Sequence, residues 1–130
     1  MPIWTTYLGF LNKHKDTAEK LGSCFVYYVM RNRGNNEVAP SEPLLLQIKA
    51  GDIDWETYEK EYLVSLDRNI KPFAEEWMKK RAEEAKIGNI LLVCFEKSSR
   101  RCHRRLLAEE ISRRYGAEYK GEVTEEQVSS

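Results

Sequence analysis

The residues best suited to chemistry lie in one stretch, 89–105, where an apolar run meets a cationic segment. The apolar part, Asn-Ile-Leu-Leu-Val-Cys-Phe, is followed by Glu96 and, six residues later, by the pair Cys102-His103. A carboxylate, a thiol and an imidazole are groups that proteins use as nucleophiles and to move protons. Glu96, Cys102 and His103 are therefore the candidate catalytic residues, and whether the protein is an enzyme stays open at this point.

Basic side chains are concentrated in the same part of the chain. Residues 97–114 contain seven Lys and Arg against two Glu, although the whole chain has 21 basic and 21 acidic residues. If a helix begins near residue 101 or 102, its first backbone N–H groups and its positive dipole end add to these side chains. We therefore predict a site for an anionic small molecule, a phosphate or a nucleotide, formed by Arg31, Arg100 and Arg104.

Two alternatives remain for the same segment. The arginines of the last helix could form a solvated face that binds nucleic acid or an acidic protein without catalysis. Cys102, beside basic residues at a helix start, could instead be a reactive thiol in a redox-sensitive interaction protein.

The positions of the thiols and the imidazole suggest different environments. His103 precedes Leu107 by four residues and Ile111 by eight, so it belongs to the inward stripe of a helix, where a structural histidine is more frequent than a general base. Cys94 lies inside the apolar run and is predicted to be buried. Adjacent helical residues point about 100° apart, so Cys102 and His103 would not pair merely by being neighbours.

Two more specific sites are not predicted. Cys94 and Arg100 have the spacing of tyrosine phosphatases and rhodanese-like proteins, but no glycine lies between them and Glu96 would repel an anion. A zinc site from Cys94, Cys102 and His103 has no standard spacing and lacks a fourth ligand, so we predict neither a metal nor a cofactor.

Length and composition exclude several classes of protein. A chain of 130 residues with 42% apolar content closes one core and is too short for two domains. The formal net charge of +0 gives no overall attraction to nucleic acid or to an anionic membrane. No apolar run reaches the roughly 20 residues of a membrane span, no signal peptide is recognisable, and the three cysteines suit a reducing compartment. We therefore expect a cytoplasmic protein without a membrane partner.

The elements that would position these residues follow an α/β order. Apolar segments predict three strands, at 3–8, 24–30 and 89–95. The second and third are apolar on both alternations and are expected to be covered on both faces. Capping residues and amphipathic stripes predict helices, at 16–21, 42–50, 54–66, 73–86 and 101–115.

This order predicts one three-layer, Rossmann-like α/β domain over residues 1–118, with a small, mainly parallel sheet and flanking helices. Residues 119–130 are polar and are expected to form a flexible tail. Ligands of open α/β sheets gather at the carboxyl ends of the strands, so Arg31 and residues 96–105 would lie along one rim.

A resemblance to a known family agrees with this prediction. The run Leu92-Val93-Cys94-Phe95-Glu96-Lys97, followed by Cys102-His103-Arg104, resembles the signature of domain-of-unknown-function family 488, which includes the YeaO-like proteins. The resemblance spans about residues 3–115 and is closer to the shorter archaeal-type branch, because Val29 stands where commoner members have Asp. It implies a Rossmann-like fold, no particular reaction, and a cluster made of Arg31, Cys94, Glu96, Cys102, His103 and Arg104.

Overall fold

The computed structural model of the protein describes residues 2–22, 24–30, 34–67, 73–95 and 102–128. The strands in this part of the chain are β1 (Ile3–Tyr7), β2 (Cys24–Tyr28), β3 (Asn89–Cys94) and β4 (Tyr119–Glu122). The helices are α1 (Leu8–Lys13), α2 (Thr17–Leu21), α3 (Glu42–Ala50), α4 (Trp55–Asp67), α5 (Ala74–Glu84), α6 (His103–Tyr115) and α7 (Glu125–Val128), with a 3-10 turn at Asn36–Val38. The three predicted strands and the five predicted helices are confirmed, whereas α1, β4 and α7 were not predicted.

The four strands form one parallel sheet in the order β2-β3-β1-β4. Every residue of β3 is buried, as its continuous apolar run predicted. Ile90, Leu92 and Cys94 face the larger core beneath α4, α5 and α6. Leu91 and Val93 face a smaller core that includes residues of α1 and α7. The fold is therefore a three-layer, Rossmann-like α/β domain.

The prediction that β2 is covered on both faces is wrong, because β2 is an edge strand. Within the described part of the chain it pairs with β3 alone, and the side chains of Val26 and Tyr28 are 36% and 39% exposed. Part of the apolar surface of β2 packs against α5 at the sheet edge. There the rings of Tyr27 and Trp77 are arranged edge-to-face, with centroids 5.7 Å apart. Alternation alone does not distinguish such a strand from a central one.

The domain also continues past residue 118, so the predicted boundary needs correction. Tyr119–Glu122 pairs in parallel with β1, and Val123 and Val128 are buried in the smaller core. Charged residues at an edge strand are common because one side of the strand stays open to solvent. The charges of Lys120 and its neighbours therefore concealed β4 in the sequence.

The helix caps that the sequence predicted position α3 and α4 near the carboxyl end of β3. The Ser41 hydroxyl accepts a hydrogen bond from the Leu44 N–H at 3.3 Å, and the Asp54 carboxylate accepts one from the Thr57 N–H at 2.8 Å. Gly51, at φ 77°, ends α3 in the left-handed conformation that favours glycine. Among the described residues, no helix has the length and apolar character needed to cross a membrane.

Candidate functional site

Three residues selected from the sequence meet at the carboxyl end of β3. Cys94 is the last residue of β3, Cys102 directly precedes α6, and His103 begins α6. The Cys94 Sγ and Cys102 Sγ atoms lie 3.7 and 3.9 Å from His103 Nδ1, and these three atoms are all within 4.8 Å of one another. We call these three residues the Cys-Cys-His cluster. The predicted burial of Cys94 and His103 is confirmed, since they are 3% and 4% exposed.

Cys102 and His103 converge although they are neighbours in the chain. The helical angle used in the sequence argument does not apply, because Cys102 is the N-cap of α6 and has an extended backbone, φ −134° and ψ 142°. An extended residue directs its side chain independently of the helix that follows. The two residues therefore belong to one cluster and not to separate sites.

The His103 ring is held by its second nitrogen. Nε2 lies 2.6 Å from the carbonyl oxygen of Val29, and because a carbonyl can only accept, Nε2 carries a proton and donates it. The Tyr62 ring packs against the imidazole at 5.5 Å, and its hydroxyl donates to the Val38 carbonyl at 2.6 Å. Nδ1 is thereby directed toward the two sulfur atoms. In the protonated ring Nδ1 would donate a hydrogen bond to a thiolate, and in the neutral ring it would present a lone pair.

The cluster favours the charged form of one thiol. Burial raises the pKa of Cys102, but hydrogen bonds with Cys94 and His103 and the nearby positive charges of His103 and Arg104 outweigh it and lower that pKa to about 4. These contacts favour the thiolate form of Cys102 over the neutral thiol. None of the three cysteines, all in the described part of the chain, is in a disulfide bond.

Arg104 follows the cluster in α6 and is fully buried. Its Nε and Nη2 atoms donate to the two carboxylate oxygens of Glu122 at 3.0 and 2.8 Å. Burial lowers the pKa of Arg104, but the hydrogen bonds to Glu122 and the negative charge of Cys102 raise it further than burial lowers it. The predicted anion ligand thus already holds a carboxylate, which the sequence argument missed because it assigned residue 122 to a tail.

The other predicted site residues, Arg31, Glu96 and Arg100, lie outside the described residues, so their roles stay predictions. Their sequence neighbours Met30 and Phe95 line the pocket described next.

The Cys-Cys-His cluster lines a pocket with a volume of about 790 Å³. Such a volume is typical of small-molecule sites, which range from about 300 to 1,000 Å³. Trp55 and Tyr58 of α4 contribute stacked rings, with centroids 4.7 Å apart. Further lining comes from residues in or beside α3 and α4, including Pro40, Glu42, Leu45, Leu46, Ile48, Lys49, Ile53 and Asp54.

Trp55 and Tyr58 stand on the amphipathic stripe of the predicted helix 54–66, and such a position favours packing in the core. Tyr58 is indeed buried, whereas Trp55 is only half-buried. A sequence pattern at helical spacing does not reveal whether an aromatic side chain fills a core or borders a pocket, so this wall was missed.

The arginines of α6 are occupied by carboxylates from several elements. Each of them lies within 4 Å of at least one Asp or Glu oxygen, and the pairs are Arg104 with Glu122, Arg105 with Glu59 and Glu109, Arg113 with Glu110, and Arg114 with Asp67 and Glu110. The basic excess seen along the sequence is therefore offset in space within the described part of α6.

Comparison with known proteins supports the resemblance seen in the sequence. A family model described as the active DUF488-N3 subclade matches residues 30–127, which include the Cys-Cys-His cluster and Glu122. No curated protein and no solved structure shows a significant match to the chain. The archaeal-type branch stays a prediction. Because the matched region covers most of the chain and the whole cluster, the protein belongs to domain-of-unknown-function family 488.

Proposed function

We propose that this protein binds a small organic anion about the size of a nucleotide in the pocket above the Cys-Cys-His cluster, and that it acts on this ligand there. The observation that carries the proposal is the pocket itself, which joins an aromatic wall to a cluster of reactive side chains at the carboxyl end of β3. Ligands of open α/β sheets bind at this end of the strands.

The apolar part of the ligand is expected against α3 and α4. Trp55 and Tyr58 are stacked with an interplanar angle of 17° and border the pocket together with aliphatic side chains such as Leu45 and Ile53. Flat aromatic surfaces favour a planar group such as a base, because offset stacking adds to the burial of apolar area. This wall supports a ligand with a ring and not inorganic phosphate alone.

The anionic part of the ligand is expected at the cluster. Cys102 lies at the amino end of the 13-residue helix α6, directly before His103. The positive end of the helix dipole favours an anion there. Arg31 and Arg100 are the basic residues proposed to add to this field, whereas Glu42 and Asp54 also line the pocket and would repel an anion.

The groups at the cluster are suited to proton transfer and to attack on an electrophilic atom. His103 and Glu96 are the proposed proton carriers, and Cys102 is the proposed polarised thiol. The alternative function, binding of nucleic acid or protein by the arginines of α6, has less support because each of those arginines is paired with a carboxylate.

The first prediction tests binding by thermal unfolding with inorganic phosphate and with nucleoside monophosphates as probes. A nucleotide present at 100 times its Kd stabilises the folded state by about 2.7 kcal/mol, which raises the Tm by several degrees for a chain of this size. Arg100→Ala is expected to reduce this rise by removing charge, and Trp55→Ala by removing the stacking surface.

Each variant has a matched control. Arg113→Ala removes an arginine that is 67% exposed and lies in α6, and Val64→Ala removes an exposed apolar residue of α4; both are expected to keep the full rise. The proposal is wrong if no probe raises the Tm, or if Arg100→Ala and Arg113→Ala respond alike. Oligonucleotide binding that weakens steeply with salt and is lost in Arg105→Glu would favour the alternative.

A further inference from the structure

We propose that Cys94, Cys102 and His103 bind a thiophilic divalent metal ion, most favourably zinc. The site has three protein ligands, and the fourth coordination position of the ion opens to the pocket. The ligand type supports this choice, because two thiolates and one imidazole are preferred by zinc over magnesium or calcium. The metal site itself does not depend on the proposed anion, whereas the role of the fourth position rests on the proposed function.

The distances suit a tetrahedral ion. Zn–S and Zn–N bonds of about 2.3 and 2.05 Å at tetrahedral angles separate sulfur from nitrogen by about 3.6 Å and sulfur from sulfur by about 3.8 Å. The two sulfur-to-Nδ1 distances are 3.7 and 3.9 Å, and all three atoms lie within 4.8 Å of one another. A common ion therefore requires the sulfur–nitrogen distances to shorten by a few tenths of an ångström. The sulfur–sulfur separation, which is at most 4.8 Å, has to shorten by no more than about 1 Å.

The imidazole is oriented as a metal ligand. Histidine ligands commonly donate their second ring N–H to a carbonyl or carboxylate, which directs the lone pair of the other nitrogen at the ion. His103 Nε2 makes this contact with the Val29 carbonyl at 2.6 Å. The Val29 N–H in turn donates to the Val93 carbonyl at 2.9 Å, so the acceptor is anchored to β3.

Charge balance also favours an ion at this position. The three side chains are 2–4% exposed, and burial of thiolate charge is costly without a compensating charge. One divalent ion with two thiolates and a neutral imidazole has no net charge. The nearby guanidinium of Arg104 is paired with both carboxylate oxygens of Glu122. Its positive charge is therefore largely offset by Glu122 and does not balance two thiolates.

Three protein ligands are the number found in catalytic zinc sites, where the fourth position holds water or substrate. The missing fourth ligand, which argued against zinc in the sequence, therefore agrees with a site that borders a pocket. With an ion bound, Cys102 and His103 would serve as its ligands, and of the proposed proton carriers Glu96 alone would keep that role. The ion would act as a Lewis acid toward an oxygen of the bound anion.

The experiment measures zinc in the full chain, purified without a histidine tag and dialysed against metal-free buffer. We expect one zinc per chain by elemental analysis. Cys94→Ser, Cys102→Ser and His103→Gln are each expected to lower the zinc affinity by more than about tenfold, because each removes one of three ligands. Cys24→Ser and His14→Gln are the matched controls; Cys24 lies at the amino end of β2, opposite Asn89, and is expected to have no effect.

Two measurements avoid dependence on variants that fail to fold. Cobalt(II) added to the metal-free wild-type chain is expected to give the intense visible bands of a tetrahedral site and a thiolate charge-transfer band in the near ultraviolet. Zinc is also expected to protect Cys94 and Cys102, but not Cys24, from alkylation, as read by peptide mass spectrometry.

The proposal is overturned if the folded wild-type chain binds less than stoichiometric zinc and shows no tetrahedral cobalt spectrum, or if Cys24→Ser loses zinc as Cys102→Ser does. The proposed function fails separately, since these measurements contain no nucleotide. If the chain binds zinc but no anion stabilises it, the proposed metal site stands and the proposed anion site is wrong.

Discussion

The ion pair of Arg104 and Glu122 links the candidate site to the stability of the domain. Arg104 has no exposed surface, and its side chain is held by both carboxylate oxygens of Glu122, whose side chain is 27% exposed. A bidentate contact of this kind is stronger and more directional than a single ion pair. A change at Glu122 therefore leaves a buried positive charge without its principal partner beside Cys102.

Glu122→Gln is predicted to destabilise the fold. The cost is expected to exceed 1 kcal/mol but to stay below the about 3–5 kcal/mol typical of fully buried pairs, because Glu122 keeps some exposure to water. Urea unfolding measures the difference. Glu118→Gln is the control, since Glu118 is 65% exposed and pairs with Lys120 at 3.5 Å, and exposed pairs contribute about 0–1 kcal/mol. Equal losses in the two variants would contradict the prediction.

At the scale of elements, Gly34 and Asn35 lie close to the end of β2. The Asn35 N–H and side-chain amide both donate to the Tyr28 carbonyl at 2.8 Å, and the Trp77 indole donates to the Asn35 side chain at 3.1 Å. A Cβ atom at Gly34 would overlap the Tyr28 carbonyl oxygen and lie 2.8 Å from the Tyr28 side chain. Only glycine fits at position 34, because its backbone lies so close to Tyr28. The neighbouring Asn35 contacts both Tyr28 of β2 and Trp77 of α5, so it connects the edge strand to that helix.

Gly34→Ala is predicted to destabilise the protein by about 1–3 kcal/mol, the usual cost of overpacking a tight site. The backbone would have to move and would disturb the contacts of Asn35. Gly9→Ala is the control, because Gly9 lies in α1 and its added Cβ would meet only the Tyr7 side chain, at 3.1 Å. Chemical unfolding of both variants checks this, and a Gly34→Ala chain as stable as wild type would refute the close approach.

At the scale of the whole molecule, the sheet needs its last strand. β4 pairs with β1, supplies Glu122 to Arg104, and leads into Val123 and Val128 of the smaller core. The segment that looks like a polar tail in the sequence is thus part of the domain.

A chain that ends at residue 118 is predicted to lose most of its stability. It lacks the partner of Arg104 and two buried valines, and a removed buried-charge partner alone costs up to about 3–5 kcal/mol out of a typical 5–15 kcal/mol. Circular dichroism and thermal unfolding of this truncated chain test the prediction, with a chain ending at residue 128 as the control. A cooperative transition at the wild-type Tm in the shorter chain would show that the domain ends at 118.

The sequence by itself determined the central strand, the capped helices α3 and α4, and the burial of Cys94 and His103. Each follows from local pattern: a continuous apolar run must be covered on both faces, and Ser41 and Asp54 satisfy N–H groups within four residues of themselves. Periodicity also assigned His103 to the inward side of α6.

Only the tertiary structure decided which side chains meet. His103 finds its carbonyl acceptor 74 residues away and Arg104 its carboxylate 18 residues away, and periodicity contains no information about such partners. The extended backbone of Cys102 turned two neighbours into one cluster, and the edge positions of β2 and β4 depended on strand order. Local pattern reports whether a side chain is buried, but the chemistry of a site depends on what it is buried against.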